Sequence, residues 1–242
     1  MNRTMPVAQK TWELESEEEI NFWSHWLWTR GGAWPEEFQR RCDPDAPLQP
    51  SIAATINHPP GATVHILDVG AGPLTYLGKC WDGWTLQITA VDPLAEAYDE
   101  LLKRHQLQPV VRTQKGYAER LTALFPENSF DLVHARNCID HSYDPLLAIR
   151  QMVAVTKPGG VVYMHHAVNE AEQQNHQGFH QWNLYDRGGE LFVSNQTTHV
   201  NVTQALAGVA EVCNALYDGG IWMINLIRKH PVSSGRNHAA AE

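Results

Sequence analysis

From Thr63 onward, short apolar runs alternate with stretches of helical periodicity. Thr63–Val69, Leu86–Val91, Pro109–Arg112, Phe130–His134 and Val161–His165 are compact runs of mostly apolar residues, predicted as strands. The intervening segments carry apolar residues every three or four positions and are predicted as helices: a short one from Leu74, then Leu94–His105, Tyr117–Leu124 and Leu146–Val155. Pro158-Gly159-Gly160 reads as a turn into the fifth strand. Regular β-α alternation predicts a parallel sheet with right-handed crossovers, a doubly wound α/β architecture. A polar, His-rich segment (Asn169–Trp182) and an excursion around Leu191–Val202 interrupt the alternation. The chain then closes on Glu211–Tyr217, Asp218-Gly219-Gly220 and Ile221–Arg228, a hairpin signal that makes this sheet edge antiparallel.

The first sixty residues follow a different pattern. Ser16-Glu17-Glu18-Glu19 is a capping box, and Trp23, Trp26 and Leu27 form one apolar stripe behind it. Gly31-Gly32 ends that helix, Pro35 opens a second, and Gln49–Ile56 is predicted as a third. Residues 1–60 are therefore expected to be a helical cap, 61–230 the α/β domain, and 231–242 a disordered tail. Five of the nine tryptophans precede residue 35; they either pack the cap onto the domain or form an aromatic lid over a ligand.

Composition narrows the functional classes. The formal net charge of −9, with no dense Lys/Arg run, disfavours a nucleic-acid partner. No apolar run approaches a membrane span, and the start of the chain does not read as a secretory signal, so no membrane partner is expected. The four cysteines lack metal-site or redox spacing, which favours reduced thiols and a cytoplasmic protein. Two Asn-x-Thr sequons, at Asn195 and Asn201, are read as chance matches.

The segment ILDVGAGPLTYLG, Ile66–Gly78, runs from a buried strand into a Gly-rich turn, and a second strand ends in Asp92 about twenty residues on. That arrangement suits a nucleotide at the edge of a doubly wound sheet. A dinucleotide fingerprint would need glycine at Thr75, and a P-loop would need closer glycines and Ser or Thr at Cys80. Asp68-Val69-Gly70-Ala71-Gly72 instead resembles the D/E-x-G-x-G motif of the class I S-adenosylmethionine-dependent methyltransferases. Four more segments match that family in order: Asp92-Pro93-Leu94, Gly116-Tyr117-Ala118-Glu119, Phe130-Asp131-Leu132-Val133 and Val155-Thr156-Lys157-Pro158-Gly159-Gly160.

The resemblance implies a seven-stranded sheet of order 3-2-1-4-5-7-6 with strand 7 antiparallel, a Rossmann-like methyltransferase fold. It implies S-adenosyl-L-methionine as cofactor and S-adenosyl-L-homocysteine as product. The cofactor-binding set it implies is Asp68, Gly70, Gly72, Asp92, Pro93, Leu94, Ala118, Glu119 and Asn137. Asp92 would grip the ribose hydroxyls, while Leu94 packs on the adenine. Tyr117 stands where the family commonly has Asp, so adenine is left to Ala118, Glu119 or Tyr117 itself. Arg30, Arg40 and Arg41 of the cap are candidates for the cofactor's carboxylate.

Acceptor chemistry belongs after strands 4 and 5. Asp140-His141 resembles the paired position of small-molecule O-methyltransferases, with His141 a candidate general base and Asp140 its orienting partner or a metal ligand. Asn169 and His180 join them as candidate acceptor-site residues. The histidines at 165, 166, 176 and 180 invite a metal reading, but adjacent strand residues point to opposite faces, so no metal is expected. The expected activity is methyl transfer to a small polar molecule, most readily at oxygen. An NAD-type oxidoreductase and a non-catalytic adenosylmethionine-binding protein stand as alternatives. The sequence leaves the acceptor and the oligomeric state open.

Overall fold

A computed structural model describes residues 16–231. Of the disordered tail expected at 231–242, residues 232–242 lie outside them, as do the first fifteen residues. The cap consists of α1 (Ser16–Trp28), α2 (Pro35–Cys42) and α3 (Pro50–Ala53). The α/β unit follows: β1 (Thr63–Val69), β2 (Thr85–Asp92), α4 (Ala95–Arg104), β3 (Thr113–Lys115), β4 (Phe130–Arg136), α5 (Pro145–Val155) and β5 (Thr156–Ala167). Then come α6 (Glu170–Gln173), β6 (Asn183–Arg187), β7 (Glu190–Ser194), β8 (His199–Asn201) and α7 (Val202–Leu206), and finally β9 (Ala210–Tyr217) and β10 (Trp222–Lys229).

Seven strands form one sheet of order β3-β2-β1-β4-β5-β10-β9. Strands β1–β5 are parallel, and β10 runs antiparallel to both of its neighbours. This is the doubly wound arrangement expected, with the closing hairpin at the edge. A separate three-stranded antiparallel sheet, β6-β7-β8, occupies the excursion between β5 and β9. It docks through Leu184, Leu191 and Val193, which share a core with Val133, Met164 and Met223 of the main sheet.

Local chemistry explains several boundaries. Helix α5 starts where Asp144 accepts a hydrogen bond from the Leu147 amide (3.0 Å) and Pro145 takes the first turn. Strand β5 is bulged: Phe130 pairs with Thr156 but Leu132 with Val161, so Lys157–Gly160 loop away from β4. Asp131 fixes that bulge, accepting from Lys157 Nζ (2.8 and 2.9 Å) and from the His65 amide (2.8 Å).

Four expectations need correction. No helix follows the Gly-rich turn; residues 71–79 are irregular. Helical i to i+4 bonds are replaced there by cap side chains: Arg41 donates to the Leu74 carbonyl (2.5 Å), and Arg40 and Gln49 to that of Tyr76 (2.8 and 2.9 Å). The third strand is Thr113–Lys115 rather than Pro109–Arg112, because β3 is pulled into place by Thr113, whose hydroxyl donates to the Gly72 carbonyl (2.7 Å). The helix expected at Tyr117–Leu124 is a kinked 3-10 turn, Ala118–Ala123, distorted at Arg120. The third cap helix contracts to Pro50–Ala53.

The cap is built into the domain rather than laid over it. Leu48, Ile52 and Ala53 pack with Val64, Ile66 and Leu77, while Trp26, Leu27 and Phe38 pack with Leu74, Tyr98 and Leu101. Among the described residues no helix is long and apolar enough to cross a membrane.

Candidate active site

The C-terminal ends of β1, β2, β4 and β5 open into a cavity of about 750 Å³, roofed by α1 and α2. That volume falls within the range of about 300–1,000 Å³ usual for small-ligand sites. At one end the Gly-rich turn meets Asp92. Gly70 and Gly72 both adopt φ of +64°, and added Cβ atoms would lie 2.5 Å from Cys138 Sγ and 2.7 Å from Trp23 Cζ2. Glycine is required here by backbone conformation and by close packing together.

Asp92 is buried at the end of β2. Its Oδ2 accepts from the Gly72 amide (3.1 Å) and its Oδ1 from the Leu94 amide (2.9 Å). Burial pushes its carboxyl up to about 7 despite these two bonds. Each oxygen retains acceptor capacity after one amide, which is what two ribose hydroxyls would use. Pro93, Leu94, Tyr117, Ala118 and Tyr143 line the adjoining wall. Glu119 also lines the cavity, but its Oε1 accepts from the Tyr143 and Asp144 amides (2.9 and 3.3 Å), so it anchors the loop after β4. Burial pushes its carboxyl up to about 7 as well.

Asp68 also lines the cavity. Its oxygens are taken by the Thr75 hydroxyl (2.5 Å) and by His134 Nδ1 (2.6 Å), so it organises the turn and β4. A carboxylate partner calls for a proton on His134 Nδ1, so that in the neutral ring Nε2 is an acceptor; Nε2 is buried and unpartnered. Two residues on, Arg136 Nε is a buried, unpartnered donor, and both side chains line the cavity. Arg136 and Arg41 share one carboxylate, Glu37 (3.1 and 2.7 Å). Arg41 is buried there, Arg40 points to the Tyr76 and Pro47 carbonyls, and Arg30 lies over the Phe38 ring.

The same cavity is lined by Asp140, His141 and His180. Asp140 Oδ2 lies 2.8 Å from His180 Nδ1 and 3.3 Å from His141 Nε2, and the two ring nitrogens are 3.3 Å apart. His141 stacks on Phe179. Burial alone would raise the Asp140 carboxyl, but His141 and His180 outweigh it and hold it below the usual carboxylate range. Burial alone would depress His180; the Asp140 carboxylate overrides this and raises it.

Asn137, in a left-handed turn (φ 45°), lines the cavity and accepts from the Ala167 amide (3.3 Å), tying β4 to β5. Asn169 does not line it: its left-handed backbone (φ 55°) starts α6, and Glu170 faces the cavity instead. Of the other histidines, His166 is buried against Asn225 Oδ1 (2.6 Å), and His165 contacts the Tyr217 hydroxyl on the other side of β5. Burial drives His165 down to about 4. The sequence reading missed Glu37, Tyr76, His134 and Arg136. The signal was present in β4, where His134 and Arg136 lie two apart on one face of a strand whose other charged residue is Asp131.

Residues 67–164 match the family described as methyltransferase domain. The segment includes the Gly-rich turn, Asp92 and the Asp140-His141 pair. Over that segment the chain is similar to a methyltransferase domain. An uncharacterized methyltransferase of Schizosaccharomyces pombe is 31% identical over 111 residues, 41% of this chain and 38% of that protein. The ubiquinone biosynthesis O-methyltransferase of Xanthomonas campestris is 35% identical over 107 residues, 43% of each chain. Both matches span less than half of the curated relatives. Among solved structures, the putative methyltransferase in complex with the Trm112 activator of Haloferax volcanii has a TM-score of 0.51 at 12% identity. That likeness covers 88% of this chain and 96% of the other, and it shows the fold.

The methyltransferase domain's cofactor is S-adenosylmethionine, and the cavity's chemistry fits it. Asp92 suits a diol. The buried donor of Arg136 and acceptor of His134 match the carboxylate and ammonium of an amino acid.

Proposed function

We propose that this chain transfers a methyl group from S-adenosylmethionine to a small polar acceptor at oxygen. One observation carries the reading. A single cavity is lined both by a nucleotide-suited set, Gly70–Gly72 and Asp92, and by an acid-imidazole cluster, Asp140, His141 and His180. S-adenosylmethionine supplies an electrophilic methyl on a sulfonium, and the protein's task is placement and proton removal. Asp92 would hold the ribose, and the wall of Pro93, Leu94, Tyr117 and Ala118 the adenine. His134 and Arg136, with Arg41, would fix the methionine end.

The Asp140 cluster would bind the acceptor and activate its hydroxyl. The acceptor's O–H proton passes by way of the cluster to water, its oxygen forms the new bond to the methyl carbon, and the carbon–sulfur bond breaks to release S-adenosylhomocysteine. Alignment of nucleophile and methyl in such a step supplies about 7–11 kcal/mol. Phe22, Trp23, Trp26 and Trp34 wall the cavity and limit the entry of water. The O-methyltransferase named among the relatives supports oxygen over nitrogen as the acceptor atom.

The test is a screen with methyl-labelled donor against matched hydroxyl- and amine-bearing small molecules. Label should enter a hydroxyl compound with stoichiometric S-adenosylhomocysteine, and the rate should collapse in Asp140→Ala. Label confined to amines would overturn the choice of oxygen. Tight cofactor binding with no transfer to any acceptor would favour a binding protein.

A further inference from the structure

The Asp140–His141–His180 triangle is more than a hydrogen-bonded cluster. Its three facing atoms, Asp140 Oδ2, His141 Nε2 and His180 Nδ1, are separated by 2.8, 3.3 and 3.3 Å. Ligands held at about 2.0–2.2 Å from one cation, at tetrahedral or octahedral angles, stand about 2.8–3.6 Å from each other. All three edges fall in that window, so a cation could be held with little movement of the side chains. Each atom bears a lone pair when the imidazoles are neutral and the carboxylate ionised.

The setting also suits a ligand set. Asp140 is buried, Phe179 stacks against His141, and all three groups face the cavity, which leaves one side for further ligands. The three residues come from two segments: Asp140 and His141 from the turn after β4, His180 from the stretch between α6 and β6.

We propose that Asp140, His141 and His180 form a binding site for a divalent transition metal. Two imidazoles and one carboxylate favour zinc, cobalt, manganese or iron over magnesium, which prefers oxygen ligands alone. The site has open positions on the cavity side, where an acceptor hydroxyl can coordinate. Coordination would lower the hydroxyl's pKa, so the imidazoles act as ligands and His141 is not the general base expected from the sequence. The metal's role in catalysis rests on the methyl-transfer reading; the metal site itself does not.

The test uses untagged, chelator-treated protein titrated calorimetrically with Zn²⁺ and followed with Co²⁺ by visible absorption. One metal should bind per chain, with Co²⁺ giving the d–d bands of a low-coordinate nitrogen–oxygen site. Asp140→Asn, His141→Ala and His180→Ala should each weaken binding roughly 100-fold or more, beyond the usual effect of losing an outer-shell partner. His176→Ala, near His180 in sequence but outside the cavity lining, should leave it unchanged. S-adenosylhomocysteine binding, retained in each variant, reports that the fold is intact. Should one variant fail to fold, the other two decide. Absence of stoichiometric binding, or binding indifferent to all the variants that fold, overturns the proposal. Metal binding without S-adenosylhomocysteine binding would preserve the site and sink the methyl-transfer reading.

Discussion

Asp92 accepts from two backbone amides in a place where burial still pushes its carboxyl up to about 7. An unfolded Asp titrates near about 3.9. Between those values the native state holds a proton that the unfolded chain has lost. The corresponding stability is present below about pH 4 and is lost as pH rises through about 7. Asparagine cannot lose that proton. The stability of Asp92→Asn relative to wild type should therefore climb between pH 4 and 7, by up to about 1.4 kcal/mol per pH unit, and level off above. Urea midpoints measured across that range check this; parallel curves would mean that the carboxyl titrates normally. The position of Asp92 was legible because strand, turn and acid lie within one short stretch. The pairing of His134 with Asp68, and the buried edges of Arg136, were not. They depend on β4 lying beside β1, a contact 66 residues apart in sequence.

At the scale of elements, the loop after the Gly-rich turn is held by the cap. Arg41 donates to the Leu74 carbonyl and pairs with Glu37, and Lys79 Nζ returns to the Arg40 and Arg41 carbonyls (3.1 and 2.9 Å). Arg41→Ala should destabilise the protein by about 2–3 kcal/mol, the scale of losing charge-assisted bonds at a buried group. Hydrogen exchange should locate the loss: amides of Leu77, Gly78 and Lys79 should exchange faster, while β4 stays protected. Arg41→Lys should not restore protection, because an ammonium cannot reproduce the guanidinium's fork. Uniform loss of protection across the sheet would contradict a local role. A helix from Leu74 was the natural expectation from local pattern alone. The carbonyls that decide against it are satisfied by side chains more than twenty-five residues away, which local periodicity does not register. The closing hairpin was legible for the opposite reason, since Asp218-Gly219-Gly220 and its flanking strands are consecutive.

Across the molecule, cap and sheet share their apolar clusters, so they should unfold together. Tryptophan fluorescence, weighted toward the cap, and far-ultraviolet circular dichroism should give coincident denaturation curves. An earlier fluorescence transition would make the cap a separate unit. The same integration closes one cavity over the Gly-rich turn and the Asp140 cluster, and the proposed function depends on that cavity binding one particular nucleotide. Calorimetric titration with S-adenosylmethionine, S-adenosylhomocysteine and NAD, on wild type and Asp92→Ala, tests this most directly. The first two should bind, Asp92→Ala should lose at least about tenfold in affinity for the charge-assisted bonds removed, and NAD should not bind. Binding of NAD alone, or of none of the three, would contradict the proposed function.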